Sequence, residues 1–392
     1  AGILSEGKTS RLYKRLVFDD QIASDVNAFA FPLEIAGLFG VIATAMPGQD
    51  LAEVDAAIEE EVARLLADGP TDEELERIVT TRKADFIRGA ERVGGFGGKS
   101  DILARNEVYL NDPGFYRTIL ERWESADADA LTAAAREWMA RGQYIMEVHP
   151  FDEYSTGDNV VDRSTIPVPG DAPKVGFDDF ERFELSNGLR VVLAQRSAVP
   201  VVNLRMMVNA GYASDQFGLP GTASLAMNML DEGTRNRNAL EISDELAILG
   251  ATLSSGSNLD VSTVSMSALK EKLPQSLDLY ADVILNPTFP EDDYTRLQNQ
   301  QLAAIAQEKV QPVGMALRVF PRLLYGEGHA YSAPFRGTGT EESVTQLTTA
   351  GLKEFHQTFF KPNNATLVVV GDVNRDELEP LLEQQFLSLI HI

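Results

Sequence analysis

A break in hydrophobic periodicity divides this chain into two halves. Between Phe151 and Phe180 the apolar residues follow neither helical nor strand spacing, and the stretch TIPVPGDAPKVG holds three prolines and two glycines in twelve residues. Proline removes a backbone donor and resists both a helix and a central strand. We therefore expect an interdomain linker over 151–180, with one lobe at 1–150 and another at 181–392. The alternative is a long surface loop of a single domain, although loops of this length are uncommon in compact domains.

The charge balance excludes some functions and leaves others open. The 392 residues include 34 Lys and Arg against 59 Asp and Glu, a formal net charge of −25. Because this charge would repel a phosphate backbone, we expect no nucleic-acid partner. The acidity is typical of a solvated surface, and the alternative is an acidic inner wall that favours cationic peptides. The chain has no cysteine, which excludes disulfides and thiolate sites, and no apolar run reaches the roughly 18 residues of a membrane helix.

The pattern of the first lobe predicts an α+β fold. Thr71 followed by Glu74 is a capping-box signal for the start of a helix, and Gly69 stands where the preceding helix would end. The expected elements, in chain order, are a mostly buried strand over 33–46, helices over 50–69, 71–92 and about 129–140, and a closing strand over 144–150. Such an order is typical of helices laid against a sheet.

The pattern of the second lobe also predicts strands and helices in separate blocks. Asn187-Gly188 is a type I′ turn signal between two apolar runs, so we expect a hairpin at the start of the lobe. The further elements are a strand over 201–208, helices near 220–230 and 240–249, alternating residues over 251–268, helices within 270–325 and a closing strand over 365–373. This lobe is α+β as well.

The most suggestive local motif is GGFGGKS at 94–100, whose end imitates a phosphate-binding loop. A phosphate-binding loop needs an earlier glycine where this chain has Val93, and it follows a buried strand, whereas the preceding residues here have a helical pattern. We therefore interpret the motif as a turn between helices.

The histidines offer no metal motif. The four of them, His149, His329, His356 and His391, lie too far apart for helical metal spacing. We expect His149 at a strand end, His329 in a turn and His356 on an amphipathic helix, each on the surface or packed. A serine triad is not excluded by spacing, although no GxSxG elbow occurs.

A series of landmarks runs in order between Phe183 and Phe386. They are LSNGLRVVL, GYASDQFGLPGTA, MLDEGT, LNPTFPEDDY, LYGEGHAYSAPFRGT and FFKPNNATLVVVGDV. This half resembles the metal-binding lobe of the pitrilysin/insulinase family of zinc peptidases. Residues 2–150 resemble the lobe that follows it in that family, through GKTSRLYKRL, the strand at 33–46, PTDEELERI and GGFGGKSDILA. The resemblance implies that each lobe is a mainly antiparallel sheet with helices packed against it.

The resemblance also implies where zinc ligands would lie. The family's HxxEH sequence falls on GTASLAMNMLDEGT, so its two histidines correspond to Ser224 and Asn228 and its glutamate base to Met227. A third ligand, a glutamate further along, corresponds to Ala304. These side chains provide neither a zinc ligand set nor a base. We therefore expect no catalytic residue, no metal ligand and no cofactor in this chain, and no activity from the chain alone.

The follower lobe of the family carries an arginine and a tyrosine that help to hold substrate. Their positions correspond to Val17 and Ser24, so we expect that role to be absent here as well. A complete module runs from metal-type lobe to follower lobe, whereas this chain runs in the opposite order. It therefore resembles the middle of a two-module protein, with an active, zinc-containing lobe upstream of Ala1 and a follower lobe downstream of Ile392. The last residues, LSLIHI, depart from the family pattern.

Two functions follow from this resemblance. The first is the non-catalytic middle portion of a two-module zinc endopeptidase, forming chamber wall and hinge for peptide or small-protein substrates. Its partners would be the remaining lobes of the same protein or a partner subunit. The alternative is a non-catalytic scaffold or partner subunit, like the family-related core proteins of respiratory complexes.

Overall fold

The computed structural model describes residues 1–32, 37–140, 142–149 and 179–387. The expected linker at 151–180 lies outside the described residues except for its last two positions, and so do His391 and the rest of 388–392. Among the described residues, no helix combines the length and the apolar composition needed to cross a membrane.

The described residues of the expected first lobe form a two-stranded sheet and seven helices. The strands are Ala23–Pro32 (β1) and Gly37–Ala45 (β2), and the helices are Gly2–Ser5 (α1), Arg11–Tyr13 (α2), Leu51–Asp68 (α3), Asp72–Gly89 (α4), Lys99–Leu110 (α5), Tyr116–Glu124 (α6) and Ala128–Met139 (α7). A turn of π-helix, Lys14–Asp19, continues α2. The strands pair antiparallel, and one face of them packs with α1, α2 and α3 around a small core.

The helix boundaries of the first lobe follow from their capping residues. Asp50 accepts a hydrogen bond from the backbone N–H of Ala52 at 3.0 Å and starts α3, which ends at Gly69 with a φ of 75°. Thr71 and Glu74 form the expected capping box at the start of α4, with bonds of 3.2 and 2.8 Å. These two predicted helices are confirmed, as is the third, α7.

The prediction of a mostly buried strand at 33–46 is wrong about its burial. Residues 37–45 do form a strand, but it is not mostly buried, because Leu38 and Ile42 are 58% and 61% exposed. A hairpin with helices on one side buries only that side. Residues 33–36 lie outside the described part of the chain, and the partner strand β1 was not predicted.

The closing strand expected at 144–150 is also wrong for its described part. Residues 142–149 have no regular secondary structure and are exposed throughout. They follow α7 and run beside α3, where Gln143 donates a hydrogen bond to Glu59. An alternating apolar sequence forms a strand only when a neighbouring strand accepts its hydrogen bonds, and the described residues provide none here.

The second lobe is built on a six-stranded mixed sheet. Its strands are Glu181–Glu184 (β3), Arg190–Gln195 (β4), Val201–Val208 (β5), Thr252–Ser257 (β6), Ser262–Leu269 (β7) and Ala365–Gly371 (β8), in the spatial order β3-β4-β8-β5-β7-β6. Only β4 and β8 are parallel neighbours, so the sheet is mainly antiparallel. The hairpin, the strand at 201–208 and a closing strand over 365–371 are confirmed. The type I′ turn is wrong, because Gly188 has a φ of 85° but Asn187 does not have the positive φ that this turn also requires.

Helices cover this sheet and complete the lobe. They are Thr222–Asn228 (α8), Ala239–Leu249 (α9), Leu273–Leu285 (α10), Glu291–Val310 (α11), Pro312–Tyr325 (α12), Glu341–Gln346 (α13), Thr349–Phe359 (α14) and Arg375–Phe386 (α15). One continuous apolar core runs from Leu185 to Phe386 and includes residues of the four inner strands β4, β5, β7 and β8, whereas β3 and β6 at the sheet edges pack against it through the partly buried Phe183 and Leu253. The helix α12 departs from this packing, because Val313, Phe320 and Leu323 on it are exposed.

Candidate functional site

The helix that corresponds to the family's zinc motif is α8. It starts at Gly221, which has a φ of 99°, and the Asp215 carboxylate accepts hydrogen bonds from the backbone N–H groups of Gly221 and Ala223 at 2.7 and 2.9 Å. The hydroxyl of Ser343 donates to the carbonyl of Pro220 at 2.7 Å. Helix α8 packs against β6, α11 and α14, so the helical frame of the motif is present.

Asp215 is a buried acid in this frame. Burial raises the pKa of its carboxyl to about 7, although the N–H groups of Ala223, Gly221 and Thr222 lower it. Its hydrogen bonds satisfy helix-terminal N–H groups that have no partner within α8. Asp215 therefore acts as a structural cap.

The four positions that would hold zinc chemistry have different environments. Met227 is completely buried, with 0% of its surface exposed, and its backbone carbonyl accepts a hydrogen bond from the Ser255 hydroxyl at 2.8 Å. Ser224 and Ala304 are half-buried, and Asn228 is exposed. Helix α8, which carries the first three positions, packs against α11, which carries Ala304. The expected helix and the expected burial of Met227 are both confirmed.

Little space is left around Ser224. A Cβ atom added at Gly337 would lie 2.7 Å from the Ser224 hydroxyl and 2.5 Å from the Tyr212 ring. Gly337 also has a φ of 70°, a conformation that suits glycine. The chain therefore crosses directly over the place where an imidazole at position 224 would project.

The α11 side of the site contains a charged network that the sequence did not reveal. Glu308, one turn after Ala304, is buried and pairs with Arg318 at 2.7 Å. The Thr338 hydroxyl donates to the same carboxylate at 3.1 Å. One turn before Ala304, the Gln301 amide donates to the carbonyl of Thr338 at 2.9 Å, while its Oε1 atom has no hydrogen-bond partner among the described residues. A buried carboxylate is thus present but already neutralised.

These residues do not fit a zinc ion. A hydroxyl, a buried thioether, an amide and a methyl group provide no imidazole, thiolate or carboxylate ligand, and the Glu308 carboxylate is already paired with Arg318. In the described part of the chain, no three His, Cys, Asp or Glu side chains are grouped so that they could hold a metal ion. That this chain binds no zinc here stays a prediction.

The other positions taken from the family have structural surroundings. Val17 is completely buried in the core of the first lobe. Ser24 is half-buried on β1, where its hydroxyl donates to the carbonyl of Thr44 at 3.3 Å. Neither residue can replace an arginine or a tyrosine in holding substrate.

The glycine-rich motif at 94–100 forms the turn between α4 and α5. Within it the backbone N–H groups of Lys99 and Ser100 donate to the carbonyls of Arg92 and Val93, both at 2.9 Å. Two amides that a phosphate would need are therefore used by the loop itself, and a helix rather than a strand leads into it. The interpretation as a turn is confirmed.

The described histidines pack or face solvent. His356 on α14 is buried, its Nε2 lies 2.8 Å from the carbonyl of Ile284, and burial lowers its pKa. His329 is exposed in a turn beside the Tyr325 ring. His149 is exposed and lies 3.0 Å from Glu147, at the end of a segment that forms no strand.

Two family models match the chain. The model described as insulinase (peptidase family M16) matches residues 190–320, and the model described as peptidase M16 inactive domain matches residues 1–82 and 346–391. Together they cover more than half of the chain.

Individual proteins show the same similarity. The chain is 28% identical over 205 residues to an uncharacterised zinc protease of Mycobacterium leprae, which is 52% of this chain and 45% of that protein. It is 22% identical over 213 residues to subunit 1 of the mitochondrial cytochrome b-c1 complex of Bos taurus, 53% of this chain and 42% of the subunit. The chain thus spans about half the length of the curated relatives it matches.

A solved structure agrees with the fold. It is a peptidase M16 inactive domain from Pseudomonas fluorescens, with 30% identity and a TM-score of 0.50 over 53% of this chain and 50% of that chain.

Proposed function

The chain belongs to the insulinase family of peptidases, M16, and from that premise we propose that it is the non-catalytic middle portion of a two-module zinc endopeptidase. In this role the two lobes form part of the wall of a chamber for peptide or small-protein substrates, and their junction is the hinge between the modules. Zinc and the catalytic base come from another lobe of the complete protein.

The observation that carries this proposal is a retained frame without its chemistry. The helix α8 has its caps and its packing against α11, whereas position 227, where the family has a water-activating glutamate, holds a completely buried methionine. Methionine fills irregular apolar space and cannot accept a proton from water. Because α8 keeps its packing without the residues for catalysis, it supports a structural role for this lobe.

The similarity to zinc proteases supports the peptidase context. The relatives are about twice as long as the segment that matches this chain, and the inactive-domain model matches both lobes. The greater length of these relatives leaves room for a zinc-containing lobe elsewhere in the complete protein.

Zinc analysis and a peptidase assay test the proposal. After dialysis, we expect this chain to retain no zinc and to hydrolyse no peptide. The complete protein should retain zinc and hydrolyse peptide. Replacing Ser224→Ala and Asn228→Ala in the complete protein should leave its zinc content and activity unchanged. A tightly held zinc in this chain, lost on these replacements, would overturn the proposal.

The similarity to the cytochrome b-c1 subunit favours a second function, that of a scaffold or partner subunit. The degenerate ligand positions fit this function equally well. The same assays on the complete protein separate the two, because a scaffold would bind no zinc and cleave no peptide even at full length.

A further inference from the structure

The two lobes meet along a packed seam. On α4 of the first lobe, Ala84 and Ile87 contact Val199, Val201 and Leu269 of the second lobe. At the end of α9, a Cβ atom added to Gly250 would lie 3.0 Å from the Cβ of Ala84, so the two backbones approach closely. This seam supplies apolar contact but is short.

A charged cluster lies beside the seam. Lys8 of the first lobe pairs with Asp231 and Glu232 of the second lobe, at 2.8 and 3.0 Å. The other oxygen of Glu232 pairs with Arg296 at 2.7 Å, and both of these side chains are only 4% exposed. The guanidinium of Arg296 in turn lies over the ring of Phe18 of the first lobe, 5.1 Å from its centroid. We call these five residues the interlobe clasp.

The clasp alternates between the lobes. Glu232 is held from the first lobe by Lys8 and from its own lobe by Arg296, and Arg296 contacts the first lobe again through Phe18. Separating the lobes would therefore leave Glu232 with one cation instead of two and would remove the aromatic surface from Arg296. Burial lowers the pKa of Lys8, but Asp231 and Glu232 outweigh it and raise that pKa above its ordinary value. Lys8 is thus charged at neutral pH.

Further bonds flank the clasp without duplicating it. Asp244 on α9 accepts hydrogen bonds from Thr9 at 2.7 Å and from Arg77 at 2.8 Å. At the other end of α4, Arg88 donates to the Ser267 hydroxyl at 3.1 Å and to the carbonyl of Gly250. In contrast with Glu232, Asp244 has a partly exposed side chain, so water can replace its partners more easily.

We infer that the interlobe clasp holds the two lobes at one fixed angle, with Lys8 and Glu232 as the contact that must break before the lobes can turn relative to each other. The inference rests on the proposed function in one respect: the motion that the clasp restrains is the hinge motion proposed there. The first lobe contributes a cation and an aromatic ring, and the second lobe contributes the anions and a second cation. The joint is therefore a specific ionic contact between the lobes, with the apolar seam beside it.

Distance measurements in the whole chain test the clasp. Because the chain has no cysteine, Glu76→Cys on α4 and Gln357→Cys on α14, both exposed, provide two unique sites for spin labels. The chain with an intact clasp should give a single narrow distance distribution. Lys8→Met should add a second population at longer distance. Lys14→Met is the matched control, since Lys14 pairs with Asp19 of its own lobe, and it should leave the distribution narrow.

A second variant keeps the test decisive. If Lys8→Met does not fold, Glu232→Gln, which keeps the shape and removes the charge, should produce the longer population. A broad distribution with the clasp intact, or a narrow one in both variants, would overturn the inference. Because the measurement involves neither zinc nor peptide, its failure leaves the proposed function standing. Conversely, a zinc bound near α8 would overturn that function and not the clasp.

Discussion

The two lobes differ in how completely each one buries its own apolar surface. In the second lobe, six strands and the helices beside them share one continuous core. In the first lobe, a two-stranded hairpin and α3 enclose a much smaller core, and Phe31, Leu38 and Ile42 are exposed on the other face of the hairpin. An isolated two-stranded sheet is marginally stable at best. The comparison teaches that the two lobes differ in how much core each one forms by itself, and we expect the first lobe to depend on its contacts with the second.

Producing the two lobes as separate polypeptides should show the difference in their stability most clearly. We expect a polypeptide of residues 181–387 to unfold in one cooperative transition, because its core is complete. A polypeptide of residues 1–140 should show no such transition, because α4 loses its contact with α9 and the hairpin has too little core. Thermal unfolding followed by circular dichroism measures both. A cooperative transition in the first-lobe polypeptide would contradict the comparison.

Restoring the family's ligands should destabilise the second lobe strongly. In the quadruple variant Ser224→His, Met227→Glu, Asn228→His and Ala304→Glu, new polar groups enter packed space without partners, so the metal-free protein should lose roughly 3–5 kcal/mol in its free energy of unfolding. Most of this loss should come from position 227, which is completely buried.

Thermal unfolding with and without zinc measures this effect. Asn228→His alone is the control, because position 228 is exposed and its effect should lie within about 0.5 kcal/mol. Unchanged stability of the metal-free quadruple variant would mean that the cleft beside α8 is open and wet, and the proposal of a structural lobe would need revision.

A pH titration should sharpen the comparison, because its effect is expected in the second lobe. Burial raises the pKa of Asp215 from 3.8 to about 7, so between these values the folded state holds a proton that the unfolded state releases. The contribution of Asp215 to stability is therefore complete below about pH 4 and lost as the pH rises through 7, on the order of 4 kcal/mol at most.

Comparison with Asp215→Asn isolates this contribution. His356 acts in the opposite direction, since its lowered pKa makes the protein less stable as the pH falls below 6.5. Because both proteins contain His356, the difference between their free energies of unfolding from pH 4.5 to 7.5 reports Asp215. A difference that does not change with pH would show that this carboxyl is ionised throughout.

Limited proteolysis should have the smallest effect on the folded protein. We expect the first cut within 151–180, where the proline-rich sequence has no core of its own. The two products should stay together in size-exclusion chromatography under native conditions, because the clasp and the seam connect the lobes independently of the linker. Uniform resistance across 151–180 would instead indicate a single compact body, and separate elution would contradict the clasp.

Sequence patterns predicted the second lobe better than the first for a physical reason. The strand Val201–Val208 alternates buried and outward residues because its neighbours on both sides are present, and Asn238 caps α9 locally. In the first lobe the same logic failed at 144–149, since a strand also requires a neighbour. The strand β1, with Asp, Asn and Pro in it, gave too weak a pattern to be recognised.

The candidate site was also predicted only in part from the sequence. The correspondence of Met227 to the glutamate base came from the family resemblance, and its burial was expected because an apolar methionine replaces a water-facing glutamate there. The pairing of Glu308 with Arg318 was not expected, because the two residues lie on different helices and meet only after α11 and α12 fold together. The interlobe clasp was hidden for the same reason, as its members are far apart in the chain.

The strand order of the second lobe has a consequence for the time at which it can form during synthesis. The strand β8 comes last of the six described strands of this sheet yet lies in its middle, between β4 and β5. Until the ribosome has released residues 365–371, the β3–β4 hairpin and the β5–β7–β6 group are separate pieces, each with an unpaired edge. The nascent lobe therefore remains sensitive to proteases and to chaperone binding until its final strand emerges, and a chain stopped at residue 364 should have no folded second lobe.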